Sequence, residues 1–402
     1  MRRVVVTGAG TVNALGRDVP ATLTAMRDGR SAIGALELRD LDRLDIRIGA
    51  QVKGFDPGAH FDRGQLTLFD RYTQFAVLAA REAMAQAAPG LSEGDALRAG
   101  VILGTSGGGL QTQDDNYRAV YEAGKNRVHP FTVPKLMNSA AAAHLSMEWG
   151  LKGPSFTVSS ACASSNHAIA QAALAIRAGQ ADVMLTGGAE AMLCFGGVKA
   201  WEGLRVMSRD TCRPFCATRS GMVQGEGAAV FVLEDYERAR ARGAEILAEI
   251  AGAAMSSDAA DIVQPAQDGA ARAMAGALRD AGLAAEDVGY VNAHGTGTTA
   301  NDRVETAAIR EVFGPAADRL AVSSTKAMHG HCIGATGAIE LLACLMALRE
   351  GVIAPTANWQ AADPACDLDV VPNTARRSPV RACLSNAFAF GGMNAVLALK
   401  AV

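Results

Sequence analysis

Short apolar runs bounded by glycine alternate along the chain with alanine-rich stretches of helical spacing, and no other feature restricts the fold as much. Arg3–Thr7, Gly100–Leu103, Ser155–Ser159 and Val183–Thr186 read as buried strands, with helices such as Arg71–Ala87 between them. The rhythm then repeats. Ile246–Ala251, Val288–Asn292 and Leu320–Ser324 read as strands, and Gly269–Ala281, Asp302–Phe313 and Gly337–Arg349 as helices. Arg381–Ala387 and Asn394–Leu399 close the chain as a hairpin around Phe390-Gly391-Gly392. The expectation is an α/β fold made of a duplicated unit, with residues 1–245 forming one half and 246–402 the other. No Pro/Gly/Ser-rich linker separates them, so the halves should pack closely.

With 402 residues, 49% hydrophobic and 20% charged, the chain can bury a large core, which excludes disorder. Its net charge of -3 comes without a long run of either sign, so neither nucleic acid nor a membrane surface is an expected partner. Two arginines and a short valine run open the sequence without a signal-peptide core, and no apolar stretch is long enough to span a bilayer. A soluble, cytoplasmic protein is expected. Cys162, Cys194, Cys212, Cys216, Cys332, Cys344, Cys366 and Cys383 lack disulfide-like spacing, so reduced thiols follow. Only Cys212 and Cys216 lie close together, with no second Cys/His pair to complete a metal site. Val4–Gly10 resembles the start of a dinucleotide-binding unit, but Asn13 stands where a third glycine belongs and no acidic residue ends a second strand.

Four segments carry chemistry. Ser155–Ser160 is a strand that stops at small residues and hands over to an alanine-rich helix, placing Cys162 near the helix N-terminus, where the dipole and free amides favour a thiolate. Taken alone, Cys162 suits a buried structural thiol equally well. Asn292–Thr298 follows a strand and precedes a helix, which presents His294, Thr296 and Thr298 on a loop; a helix-capping role for the histidine also fits. Ser323–Gly334 then gathers Lys326, His329 and His331, with Glu340 on the next helix, a density of titratable groups that core packing does not need. Of the two histidines, His331 is expected to face His294 and His329 to be an exposed passenger. Asn386–Gly392 would let a backbone N–H approach a reacting carbonyl. A cysteine with two histidines could hold a metal, but acyl transfer makes fuller use of the set: a thiolate, oxyanion donors and imidazole N–H groups that polarise a thioester carbonyl.

These segments together resemble the β-ketoacyl-acyl carrier protein synthase II family. The likeness runs from Arg2 to Val402 through Val4-Val-Val-Thr-Gly, Ser160-Ala-Cys162-Ala-Ser, Gly187-Gly-Ala-Glu190, Asn292-Ala-His294-Gly-Thr, Ser324-Thr-Lys326, Gly330-His331, Ser385-Asn and Phe390-Gly-Gly. The resemblance implies a thiolase-like, five-layered αβαβα architecture, a homodimer or a heterodimer with a chain-length-factor-like subunit, and a ping-pong cycle. In that cycle Cys162 takes an acyl group from acyl carrier protein, with its own N–H and that of Phe390 as oxyanion hole. His294 and His331 then stabilise the enolate left when malonyl-acyl carrier protein loses CO2. The family likewise implies that Lys326 and Glu340 form an ion pair supporting the histidines. Thr296 and Thr298 would bind the phosphopantetheine arm, and Phe390 would act as a gate. No cofactor is expected, because the prosthetic group arrives on the carrier.

Departures from the family bear on substrate and docking. Gly107 replaces a bulky aliphatic gate residue and Thr132 a pocket phenylalanine, which should enlarge the acyl tunnel for a longer, stiffer or more unsaturated chain. Arg63-Gly-Gln-Leu66-Thr-Leu68-Phe69 retains one arginine of a basic docking patch and gains apolar residues, pointing to a dedicated carrier. Asp261, Val263, Ala389 and Met393 replace a His, a Thr, a Gly and a Thr near the pantetheine path. A silent chain-length-factor subunit is the main alternative; it typically lacks the cysteine, which is present here. A degradative thiolase or a single-histidine, Asn-using condensing enzyme fits the two histidines less well.

Overall fold

The computed structural model describes residues Met1 to Val402. Ten strands form one mixed sheet: β1 (Val4–Asn13), β2 (Ala99–Gly104), β3 (Ser155–Val158), β4 (Val183–Glu190), β5 (Gly227–Asp235), β6 (Ala248–Ser257), β7 (Tyr290–Asn292), β8 (Ala321–Ser323), β9 (Ala382–Ala389) and β10 (Met393–Lys400). Their order is β8-β7-β9-β10-β6-β1-β5-β4-β2-β3. The first five strands run β3-β2-β4-β5-β1 and the last five β8-β7-β9-β10-β6, the same order when each set is counted from its own first strand. In each set four strands run one way and a single strand, β5 in the first and β10 in the second, runs against them. The sets join where Val5 and Val6 pair with Glu249 and Ala248.

Six helices complete the layers: α1 (Arg71–Ala87), α2 (Ala140–Trp149), α3 (Ser164–Arg177), α4 (Gln267–Ala281), α5 (Thr299–Phe313) and α6 (Thr336–Glu350). Helix α6 is buried from Thr336 to Ala347 on every side, and α3 is buried over most of its length. A helix without a polar face belongs inside a core, and these two lie between the two sets of strands, each touching strands of both. Helices α1 and α2 cover the outer face of the first set, and α4, with α5 against it, that of the second. The result is an αβαβα sandwich in which both central helices begin near the middle of the molecule.

Two sequence expectations are corrected. The strand begun at Arg3–Thr7 continues to Asn13 because Gly8 and Gly10 lie under α1; an added Cβ would stand 2.2 Å from the Ala83 carbonyl oxygen and 2.0 Å from that of Ala79. These glycines therefore serve helix–sheet contact. Ser155–Ser159, expected to be buried, is instead the edge strand β3, paired only with β2, and Ser155 and Phe156 are exposed. Strand β5, continuous in apolar residues and central in its sheet, was not singled out from sequence.

Candidate active site

Helices α3 and α6 are each entered through a tight turn with a left-handed, non-glycine residue: Ala161 at φ 48° and Ile333 at φ 44°. Such backbone is strained in an L-residue and marks turns that the surroundings over-determine. Ser164 clamps the first turn, its hydroxyl accepting from the Ser160 N–H at 2.9 Å and donating to the Ala161 carbonyl at 2.7 Å. Cys162 follows immediately, ahead of the α3 N-terminus. Its thiol is buried among apolar side chains, and burial pushes it up to about 12, against the pull of the Lys326 ammonium and the N–H groups of Phe390 and Cys162 itself. The expectation of a resting thiolate is thereby corrected: desolvation outweighs the helix dipole. The same two N–H groups lie beside the thiol.

His294 lies on the loop after β7, held by the carboxylate of Glu305, which accepts the His294 N–H at 2.8 Å and the Gly295 N–H at 2.7 Å. Asn386 on β9 donates to the same carboxylate at 3.1 Å. His331 precedes α6, and its Nδ1 lies 2.8 Å from the Thr336 hydroxyl. With that hydroxyl donating, Nε2 carries the ring proton, and Nε2 has no partner within the protein. The two rings meet edge to face with centroids 5.5 Å apart. Burial holds both imidazoles well below the usual histidine range, reinforced by the Lys326 charge. They are neutral hydrogen-bond donors at physiological pH.

Lys326 donates to Glu340 at 2.6 Å, both side chains being fully buried. Burial pushes Glu340 up to about 7, while the ammonium pulls it down. His329, expected to be exposed, is wholly buried: its Nδ1–H donates to the Gly330 carbonyl at 2.7 Å and its Nε2 accepts from the Thr325 hydroxyl at 2.9 Å. It fixes the turn that carries Lys326 and faces no substrate space.

One cavity of about 110 Å³ is lined by Cys162, His294, His331, Thr296, Thr298 and Phe390, with Val263 and Asn394 at its side. Thr296 and Thr298 share a 2.8 Å hydroxyl contact on its wall. The Phe390 ring stacks on Trp201 with centroids 5.9 Å apart, and Gly391 and Gly392, at φ 81° and 67°, carry the hairpin turn beside it. Asp261, at the family's histidine position, turns back to accept the N–H groups of Val263 and Gln264.

Gly107 and Thr132 lie outside this cavity. Thr132 lines a separate polar hollow with Thr67, Asn116, His129 and Lys135. Gly107 gives its N–H to Glu190, and the space a larger residue would fill is taken by Met192. Glu190 was quoted from the sequence without a role; its buried carboxylate accepts the N–H groups of Ser106, Gly107 and Gly334 and ties the loop after β2 to the turn before α6. Glu305 and Thr336 were not singled out. The one available signal for Glu305 was Asp302 and Glu305, one helical turn apart just after the His294 loop.

Comparison with known proteins agrees with this geometry. The family model "Beta-ketoacyl synthase, N-terminal domain" matches residues 1–239, and "Beta-ketoacyl synthase, C-terminal domain" matches residues 247–360. The chain is 54% identical to Nodulation protein E of Rhizobium sp. (strain N33), covering 100% of both chains. It is 39% identical to 3-oxoacyl-[acyl-carrier-protein] synthase 2 of Staphylococcus aureus (strain COL), covering 99% of this chain and 98% of the relative. Among solved structures, the ishigamide ketosynthase/chain length factor matches with a TM-score of 0.93 and 36% identity over 100% of this chain and 99% of that one. A type II PKS acyl-carrier protein in complex with its ketosynthase bound to the hexaketide matches with a TM-score of 0.90 and 31% identity, covering 100% and 99%. A whole-length likeness at this level, over a cavity that holds a cysteine and two neutral histidines, assigns the chain to the β-ketoacyl synthase family of acyltransferase condensing enzymes.

Proposed function

We propose that this chain condenses an acyl group held as a thioester on Cys162 with malonyl-acyl carrier protein, with loss of CO2. The observation that carries the proposal is the single cavity shared by the Cys162 thiol, with the N–H groups of Cys162 and Phe390 beside it, and two imidazoles held neutral. In the first half-reaction the sulfur attacks the carrier-bound thioester. The N–H groups of Cys162 and Phe390 hold the oxyanion, and the thiol proton leaves with the departing carrier thiol. In the second, the malonyl C–C bond breaks to release CO2, and His294 and His331 donate to the enolate oxygen. Neutral donors suit this step, since an imidazolium would instead protonate the enolate. The enolate carbon attacks the acyl carbonyl in the same oxyanion hole, and the released Cys162 thiolate takes up a proton.

Thr296 and Thr298 would bind the pantetheine arm, Lys326 and Glu340 support the histidines, and no cofactor of the chain's own enters the cycle. No helix is long and apolar enough to cross a membrane, and we place the reaction in the cytoplasm on a soluble carrier. Higher identity to Nodulation protein E than to 3-oxoacyl-[acyl-carrier-protein] synthase 2 supports a specialised acyl product. The open edge of β3, with Phe156 exposed, supports pairing with a second copy of the chain. A monomeric 41.5 kDa species in light scattering would remove that pairing.

Intact-protein mass spectrometry after incubation with acyl-carrier thioesters tests the core of the proposal. A mass gain in the wild type that Cys162→Ala abolishes is the expected result. Failure of any acyl group to load, even with candidate partner subunits present, would favour the silent-subunit alternative.

A further inference from the structure

Both carrier arms of a ping-pong cycle reach Cys162 through the one cavity lined by Thr296, Thr298 and Phe390. An acyl chain left on the sulfur must therefore point elsewhere, or it would block the second arm. Cys162 belongs to one buried apolar cluster with Leu193, Val198 and Ile333, and Met192 packs against that cluster. Leu193, Val198 and Ile333 are fully buried and branched, with little room to yield. Met192 is only partly buried and unbranched, and thioether side chains adapt to irregular space.

The position facing Met192 is Gly107. A Cβ built there would stand 3.2 Å from Met192 Cγ, 3.3 Å from Met192 Cε and 3.3 Å from Glu190 Oε1, tighter than most packing contacts, so a neighbour must give way. The absent side chain at Gly107 and the long one at Met192 thus share a single volume. The Gly107 backbone is itself held, because its N–H and that of Ser106 donate to the buried Glu190 at 3.0 and 2.7 Å. One side of this contact is fixed and the other is pliable. The missing gate residue at Gly107 consequently does not by itself open a tunnel.

We infer that Met192 is the specificity-determining residue of the acyl site, its side chain swinging from over Gly107 to admit the acyl chain from Cys162. The inference rests on the condensing-enzyme proposal above. It makes the rest position of Met192 the limit on chain length and bulk, and it leaves the pantetheine side of the cavity untouched.

The test uses N-acetylcysteamine thioesters of butyrate, octanoate and dodecanoate with the full-length protein, so that carrier docking plays no part. Acyl-Cys162 formation is followed by intact mass. Met192→Ala should raise the dodecanoyl-to-butyryl loading ratio at least about tenfold, and Met192→Phe should lower it by a similar factor, the range a pocket discriminates per methylene group or two. Gly107→Ala, which crowds Met192, should lower it as well. A ratio within about twofold of wild type in Met192→Ala and Met192→Phe, with butyrate still loading, overturns the role of Met192 alone. Equal loss of all three chains in Met192→Ala means a structural role and overturns it too. Absence of loading by every thioester in the wild type removes the condensing-enzyme proposal itself, and this inference with it.

Discussion

Lys326 Nζ and Glu340 Oε1 are 2.6 Å apart in a core where neither side chain reaches solvent. Removing one partner leaves an uncompensated buried charge, which typically costs about 3–5 kcal/mol, whereas replacing both with apolar residues can be neutral. Lys326→Met should therefore lower the melting temperature sharply, and Lys326→Met with Glu340→Leu should recover most of it. Condensation should stay impaired in the double variant, because the charge that helps hold His294 and His331 neutral is gone. Calorimetry with a product assay checks both arms; full activity in the double variant would make the pair purely structural.

Glu305 organises His294 through the backbone. Glu305→Ala leaves the His294 and Gly295 N–H groups without an acceptor, at about 1–3 kcal/mol for each buried donor. We expect lower stability and a fall in kcat of at least about tenfold from displaced geometry, with KM for the malonyl substrate little changed. Glu305→Gln keeps one acceptor oxygen and should fall between. Steady-state kinetics at a temperature where all three proteins are folded measure this.

In the proposed cycle decarboxylation and condensation use different groups, so they should separate. Cys162→Ala retains His294 and His331 and should still release CO2 from malonyl-carrier while forming no ketoacyl product. His331→Ala should lose roughly two orders of magnitude or more in CO2 release, the scale of one transition-state donor. Isotope-labelled CO2 capture beside product analysis distinguishes them; undiminished release by His331→Ala would exclude its role at the enolate.

Burial pushes His329 down to about 3, and its neutral ring is satisfied on both nitrogens. In the unfolded chain the ring titrates near 6.5. Between those values the unfolded state binds the extra proton, so stability is lost as pH falls below about 6.5 and is unaffected above it. Glu190 and Glu340, pushed up to about 7, act in the opposite sense and mask the effect in the wild type. Comparison with His329→Asn isolates it: the stability advantage of wild type should shrink by about 2 kcal/mol between pH 7 and pH 5. Urea unfolding at the two pH values gives the difference, and a constant advantage would contradict the neutral buried ring.

Much of the site was legible locally. Cys162, His294 and His331 sit where a strand hands over to a helix, a pattern written in consecutive residues, and glycines mark the turns at His294 and His331. The shape of the wall was not legible. Gly107 invited the expectation of an open tunnel because a sequence shows the side chain that is missing but not the neighbour that fills its place, and Met192 lies 85 residues further along the chain. His329 misled for the opposite reason: a polar residue on a glycine-rich loop looks exposed until Thr325 and Gly330 are seen to satisfy it.

By itself the sequence determined the α/β class, the duplication and the chemistry at three strand ends, because hydrophobic period and turn residues act over a few positions. Only the tertiary structure decided that α3 and α6 lie side by side between the two sets of strands, and that the turns before them, the His294 loop and the Phe390 hairpin meet at one cavity. It also decided which groups are charged. Desolvation depends on what surrounds a group from every direction, and it overrides the local helix dipole at Cys162 and keeps both imidazoles neutral.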